Sequence, residues 1–381
     1  MEKHTEFDDI QPYREEEVVS AIEQMIHDPQ FRQAMGFIFP DRDWEKSVAL
    51  LRSFKNRHDF QHKLIKETVF DVVGKTASSI NCTGFENIRK DRTYTYISNH
   101  RDIVLDASLL CSMLAANGYE TTEIAIGDNL LLYPWIERLV RLNKSFIVKR
   151  SVSVRRMLEV SNHLSQYIHY AITQKNESVW IAQREGRAKD SNDRTQESLL
   201  KMLAMAGGRN FLENLKELNI TPVSLSYEYD PCDYLKAKEF QQKRDNPEFK
   251  KSQADDLLNM QTGIFGYKGR IHFRFGKPIN PALDSVDINL PKNEAGTLVA
   301  SLIDKGIFLN YQLYPGNYIA YDRLWGNNRC IERYSNRDVQ TFDAYLNRQL
   351  EKIVLENKDL PFLTEKILEM YAYPVKNQLE M

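Results

Sequence analysis

The segment from residue 96 to residue 106 combines the residue types needed for acid–base chemistry. It places His100 where a short apolar strand gives way to a helix, and Asp102 and Asp106 follow. Strand ends are common ligand positions in α/β sheets. A histidine there can act as a general base, and a nearby carboxylate can fix its tautomer and stabilise the imidazolium. The alternative is structural, with His100 capping the helix and the two aspartates serving as helix N-terminal acids.

A second strand end carries basic residues. The apolar run Phe146–Val148 ends in Lys149 and Arg150, and residues 137–157 contain seven basic residues and one acidic residue. A local excess of this kind favours a phosphate-bearing ligand. For Arg155 and Arg156 we expect instead a solvated face of the helix that follows.

A third strand end lies after Val179–Ala182. There Glu185 and Gly186 precede Arg187 and Lys189. A glycine lets the backbone approach a ligand closely, and the two cations could bind its anionic group. His58 and His62 lie four residues apart, but no third ligand is evident, so we predict no metal site.

The elements that must hold these side chains alternate along the chain. Residues 12–76 have helical spacing of apolar residues, and from about residue 82 short apolar runs alternate with helical stretches. This order predicts an α/β fold with a mixed, largely parallel sheet flanked by helices. We expect three regions: an N-terminal helical region (1–80), an α/β domain (81–285) and a mostly helical C-terminal extension (286–381). The run Ile271–Phe275 is predicted to be a late edge strand.

Composition narrows the choice of partners. The 381 residues carry a formal net charge of −2, which argues against nucleic-acid binding. The four cysteines form no Cys-x-x-Cys pair and fit a reducing compartment. The segment Leu130–Leu142 could lie on an anionic membrane surface or form an ordinary buried helix. Two locations therefore stay open, namely the cytoplasm and peripheral attachment to the inner face of the membrane.

Taken in order, four segments resemble the blocks of the glycerolipid acyltransferase family, whose members acylate glycerol phosphate or lysophosphatidic acid. The four segments are Asn-His-Arg-x-x-x-x-Asp from residue 99, Phe146 to Arg150, Glu-Gly-Arg from residue 185, and Thr-Pro-Val from residue 221. The resemblance covers about residues 94–279. The family usually places four residues between its histidine and aspartate, whereas five separate His100 from Asp106, so Asp102 stays an alternative partner.

The resemblance implies an O-acyltransferase. His100 would be the base and Asp106 its orienting acid, with acyl-CoA or acyl carrier protein as the co-substrate and no cofactor or metal. Backbone N–H groups near Gly186 would stabilise the oxyanion. The implied substrate-binding residues are Arg101, Lys149, Arg150, Glu185, Gly186, Arg187 and Lys189.

The acceptor would be glycerol-3-phosphate or 1-acylglycerol-3-phosphate. Two alternatives remain: an O-acyltransferase for a different lyso-lipid acceptor, and a non-catalytic module that binds lipid or an acyl carrier.

Overall fold

The computed structural model describes residues 6–150, 152–325 and 327–381, without the side chain of Val154. Seven strands are found in these ranges: β1 (Ala77–Thr83), β2 (Thr95–Ser98), β3 (Glu123–Gly127), β4 (Ser145–Val148), β5 (Val179–Ala182), β6 (Ile220–Tyr227) and β7 (Gly269–Phe275). They form one sheet in the order β1-β7-β6-β2-β5-β3-β4. The predicted fold class, a mixed and mostly parallel sheet flanked by helices, is confirmed.

The helices surround this sheet. They are α1 (Val18–Ile26), α2 (Pro29–Ile38), α3 (Trp44–Ser53), α4 (Arg57–Asp59), α5 (Lys66–Thr76), α6 (Leu105–Ala116), α7 (Pro134–Leu142), α8 (Val154–Thr173), α9 (Glu197–Leu203), α10 (Phe211–Glu217), α11 (Asp233–Asp245), α12 (Gln253–Phe265), α13 (Asn280–Leu283), α14 (Lys292–Phe308), α15 (Pro315–Trp325), α16 (Asn336–Glu351) and α17 (Leu360–Leu379). A π-helical turn, Phe60–Ile65, joins α4 to α5.

Strand direction decides which side chains can meet. The strands β6, β2, β5, β3 and β4 run parallel, so their carboxyl ends lie at one edge of the sheet. The last strand, β7, is antiparallel to β6, and β1 is parallel to β7. The segments that follow β2, β4 and β5 therefore emerge at the same edge, as a shared site requires.

The prediction that Ile271–Phe275 forms an edge strand is wrong, because β1 pairs with β7 from Ala77 to Thr83. The sequence of β1, Ala-Ser-Ser-Ile-Asn-Cys-Thr, is mostly polar and lacks a clear apolar alternation. Its strand conformation comes from pairing with β7 rather than from its own pattern. The predicted boundary between residues 80 and 81 falls inside β1, and that between 285 and 286 falls between α13 and α14.

Apolar side chains form one core on each face of the sheet. On one face Ile97 and Ile181 pack with α8 and α14, and on the other Tyr96 and Trp180 pack with α5 and α6. A third cluster joins α15, α16 and α17, and a fourth joins the N-terminal helices to α7. Helix α14 lies beyond residue 285 in sequence but belongs to the main core.

Helix α7 covers the N-terminal helices. Its Trp135 ring lies 5.7 Å from that of Phe31, and Arg141 donates to the carbonyl oxygens of Asp8 and Gln11 at 2.8 and 3.0 Å. Helix α7 thus packs against the N-terminal helices, with Leu142 as its one fully buried residue. None of the helices in the described ranges is both long and apolar enough to cross a bilayer.

Candidate active site

The turn between β2 and α6 is fastened to both neighbouring strands. The side chain of Asn99 donates to the carbonyl oxygen of Leu225 in β6 at 2.9 Å and accepts from its N–H at 2.8 Å. In β5, Trp180 Nε1 donates to Ser98 Oγ at 3.0 Å. Asn99 and Ser98 are fully buried. These hydrogen bonds fix the backbone immediately before His100 to the sheet.

His100 and Asp106 form a hydrogen-bonded pair. Nδ1 of His100 lies 2.8 Å from Oδ2 of Asp106, and that oxygen also accepts the backbone N–H groups of Arg101 at 2.6 Å and Asp102 at 3.0 Å. The other oxygen accepts the hydroxyl of Tyr227 at 2.9 Å. With these donors the carboxylate can only accept from His100. Nδ1 therefore carries a hydrogen, and Nε2 is left as the basic nitrogen.

The imidazole remains accessible at one end. The His100 side chain is 15% exposed, whereas that of Asp106 is fully buried. The ring of Trp180 packs edge-on against it, with centroids 5.8 Å apart. Nδ1 of His100 is thus held inside the protein while the imidazole ring still reaches solvent. A general base needs this arrangement.

The other candidate acid, Asp102, has a different role. Its Oδ1 accepts the backbone N–H groups of Val104 at 2.8 Å and Leu105 at 2.7 Å, which caps the start of α6. Burial, followed by the nearby charge of Asp106, raises the pKa of the Asp102 carboxyl. The extra residue between His100 and Asp106 is accommodated in this turn, and Asp106 is the acid that contacts the histidine.

Helix α12 lies directly against Asp102. A Cβ atom at Gly263 would fall 2.0 Å from Asp102 Oδ2, so only glycine fits there without a shift. The nearby Lys268 is fully buried and donates to the carbonyl oxygens of Ile264 and Gly266 at 2.9 and 2.7 Å. Burial lowers the pKa of Lys268 to about 8, although the negative charge of Asp102 opposes this shift.

Arg101 is held by a buried acid. Its two terminal nitrogens donate to the two carboxylate oxygens of Asp193 at 2.9 and 2.6 Å, and the hydroxyl of Tyr311 also donates to Asp193 at 2.6 Å. The Arg101 side chain is only 8% exposed. This two-bond ion pair, the Arg101–Asp193 fork, connects the turn after β2 to the loop after β5. Through Tyr311 it also connects to the segment after α14.

The two cations that follow β4 point to different places. Lys149 forms an ion pair with Asp9, whose other oxygen lies 3.0 Å from His163 Nε2. Arg150 instead lies across Gly127, and its Nη1 comes within 3.8 Å of Glu185 Oε1. Two strands separate β4 from β2, which corresponds to about 14 Å at ordinary strand spacing. Of this pair, Arg150 is the one directed inward along the sheet edge.

The turn after β5 holds the remaining predicted residues. Gly186 has a φ of +68°, and no atom of the residues that the structure describes lies within 4 Å of the position of a Cβ. Arg187 Nη2 donates to Asn259 Oδ1 of α12 at 3.0 Å, while its buried Nη1 has no hydrogen-bond partner among the described residues. Lys189 forms an ion pair with Glu239 of α11. The structure therefore brings Arg150 and Glu185 together, but it directs Lys149 and Lys189 to separate acids.

Two residues that support this site escaped the sequence analysis, and a third, Asn99, was part of the motif but was given no role. Tyr227 and Asp193 fix Asp106 and Arg101, and Asn99 fastens the turn to β6. The sequence gives little signal for the first two, since Asp193 lies in a polar loop 92 residues from Arg101 and Tyr227 ends a buried strand. Asn99 was visible as the neighbour of His100.

Residues 79–226 match the family model described as Acyltransferase. This part of the chain is an acyltransferase domain, and it contains His100, Asp106 and the basic residues that follow β4 and β5. The expected resemblance to acyltransferases is therefore confirmed over this part of the chain.

Among solved structures, the chain is similar to the 1-acyl-sn-glycerophosphate (LPA) acyltransferase PlsC from Thermotoga maritima. The identity is 13% and the TM-score is 0.36, over 77% of this chain and 97% of that one. No curated protein matches the sequence significantly.

Proposed function

We propose that this chain transfers a fatty acyl group from an acyl thioester, acyl-CoA or acyl carrier protein, to a hydroxyl of glycerol-3-phosphate or 1-acylglycerol-3-phosphate. The observation that carries the proposal is the His100–Asp106 pair, with Nδ1 held at 2.8 Å and the ring open to solvent. An activated hydroxyl is the usual nucleophile that such a histidine produces. Arg187, whose buried Nη1 lacks a partner among the described residues, supports an anionic group on the acceptor.

The reaction would proceed by direct attack. Nε2 of His100 takes the proton from the acceptor hydroxyl as its oxygen attacks the thioester carbonyl carbon, forming a C–O bond and an oxyanion. The C–S bond then breaks, and the leaving thiolate takes the proton back from the imidazolium. The products are an ester and a free thiol, and Asp106 keeps its hydrogen bond to Nδ1 throughout.

The oxyanion needs nearby donors. The N–H of Glu185 already donates to Gln196 Oε1 at 2.8 Å. We therefore assign the oxyanion to the amides of Gly186 and Arg187, in the turn that the left-handed conformation of Gly186 opens. The acceptor phosphate would lie against Arg150, Arg187 and Lys189.

An acyl-transfer assay tests this proposal. Labelled acyl-CoA and acyl carrier protein are each offered with glycerol-3-phosphate, lysophosphatidate and a lyso-lipid that lacks phosphate. We expect transfer to the phosphate-bearing acceptors, and loss of transfer in His100→Ala but not in the control His58→Ala, which changes an exposed histidine. Transfer that persists in His100→Ala would contradict the mechanism, and transfer only to the phosphate-free lipid would contradict the acceptor.

We also propose peripheral attachment to the inner face of a membrane. Its support is the first two turns of α8, where Leu158 is 71% exposed and the side chain of the nearby Arg156 is 66% exposed. Apolar and basic side chains together suit an anionic lipid surface. Flotation with anionic vesicles should recover the wild type but not Leu158→Asp, and equal recovery of both would contradict this surface.

A further inference from the structure

A buried carboxylate lies between two lysines beside the predicted acceptor site. Glu239 of α11 is 7% exposed, and its Oε1 accepts from Lys189 and, at 3.0 Å, from Lys243 one turn further along the helix. The exposed fractions of the two lysine side chains differ, at 28% for Lys189 and 50% for Lys243. One acid is thus compensated by two cations, of which only Lys189 belongs to the acyltransferase domain.

The position of α11 brings this cluster to the catalytic edge. Helix α11 begins six residues after β6 ends, and β6 is parallel to β2. Its first turn therefore lies beyond the same carboxyl ends from which His100 emerges. Lys189 comes from the loop after β5, the strand on the other side of β2. Glu239 thus extends from a helix outside the acyltransferase match to a cation predicted to bind the acceptor.

The charges explain why two lysines are needed. Burial alone raises the pKa of Glu239, but the hydrogen bonds and charges of Lys189 and Lys243 outweigh burial and lower the pKa below its ordinary value. The carboxylate is therefore ionised, and an ionised carboxylate left unpaired in a buried position is costly. If Lys189 leaves, Lys243 still compensates Glu239, so the departure costs much less than it would from a single pair.

We propose that Glu239 and Lys243 form a counter-ion pair that sets the affinity for the acceptor phosphate. In the empty site Glu239 holds Lys189. When the acceptor binds, Lys189 turns to the phosphate oxygens, and Lys243 keeps Glu239 neutralised. Both are positioning residues, and the inference rests on the proposed assignment of Lys189 to the acceptor phosphate.

Calorimetric binding of glycerol-3-phosphate, measured in the His100→Ala background so that no turnover occurs, tests the inference. Glu239→Gln frees Lys189 and should lower Kd by about two- to fivefold, the usual contribution of an ion pair whose lysine is partly exposed. Lys243→Met should raise Kd by about tenfold, because releasing Lys189 then leaves Glu239 unpaired. Lys243→Arg keeps the cation and should restore the original Kd.

The double variant separates this role from a purely structural one. In Glu239→Gln, adding Lys243→Met should no longer change Kd, because no buried charge remains to compensate. If the pair were purely structural, the substitutions would lower the unfolding temperature, and the Kd of each variant would equal that of the parent protein. The matched control is Glu369→Gln, which removes a partly buried carboxylate partner of Lys366 on α17, far along the chain from Lys189, and should leave Kd unchanged.

Two results would overturn the inference: no binding of glycerol-3-phosphate by any of these variants, or equal Kd values for Glu239→Gln, Lys243→Met and the parent protein. Failure of the proposed acyl-transfer reaction would give a different result from failure of this inference. In that case the Kd pattern holds, but the protein with His100 intact transfers no acyl group to the bound acceptor.

Discussion

Oδ2 of Asp106 lies 2.8 Å from Nδ1 of His100 and also accepts two backbone N–H groups from the turn between them. The same oxygen therefore shapes the turn and fixes the tautomer of the ring. Asp106→Asn should lower kcat by about 10²- to 10⁴-fold, the usual contribution of a positioned base, because the amide donates to Nδ1 and favours the wrong tautomer. Acyl-transfer kinetics measure the effect.

Asp91→Asn is the control for that substitution, since Asp91 pairs with Arg89 on the surface with both side chains more than half exposed. Its kcat should equal that of the wild type. If Asp106→Asn also turned over at the wild-type rate, Asp106 would not be the orienting acid.

The Arg101–Asp193 fork should matter more for stability than for substrate affinity. Asp193→Asn removes the charge partner of a buried guanidinium, which should cost about 3 kcal/mol in the free energy of unfolding. Asp343→Asn, which breaks the more exposed pair with Arg323, should cost less than about 1 kcal/mol. Urea denaturation compares the two, and similar costs would show that Arg101 does not depend on Asp193.

Helix α12 should not tolerate a side chain where it meets Asp102. Gly263→Ala places a Cβ 2.0 Å from Asp102 Oδ2, so the helix or the cap of α6 must move, and we expect a loss of about 1–3 kcal/mol together with reduced kcat. At Gly74, in the last turn of α5, a Cβ meets no atom of the described residues within 4 Å. Gly74→Ala should therefore be neutral or stabilise by up to about 1 kcal/mol. Thermal unfolding measures the effect of both substitutions. Equal shifts of the unfolding temperature in Gly263→Ala and Gly74→Ala would argue against the close contact with Asp102.

Lys268 should give stability a distinct dependence on pH. Its pKa is about 8 in the folded protein, against about 10.4 in an unfolded chain. Between these values the unfolded chain binds a proton that the native protein has released, so raising the pH favours folding. Relative to Lys268→Met, the wild type should gain up to about 3 kcal/mol between pH 8 and pH 10.4, with no relative change below pH 7. Parallel profiles of unfolding free energy for the two proteins would contradict this.

The sequence was sufficient for the elements that carry strong patterns. Apolar runs predicted β2, β4, β5 and β7, and residue type singled out His100, whereas Asp102 and Asp106 both stayed candidates for its partner acid. The polar strand β1 was missed because its conformation depends on β7, nearly two hundred residues away. The acids that pair with Arg101 and Lys189 could not be predicted either, because they too lie far away in sequence. Asp193 and Glu239 lie in a polar loop and on a polar helix, and only the folded chain shows that both are buried.

The pairing of β1 with β7 also governs the order in which the protein can assemble during synthesis. Residues 77–83 leave the ribosome early, but their partner, residues 269–275, must still be translated. At about 5–20 residues per second, that gap lasts about 10–40 seconds. Tyr227 and Leu225, which hold Asp106 and Asn99, also appear late. The nascent chain therefore carries an unpaired strand and an unassembled catalytic turn for much of its synthesis, an interval in which chaperones would protect it.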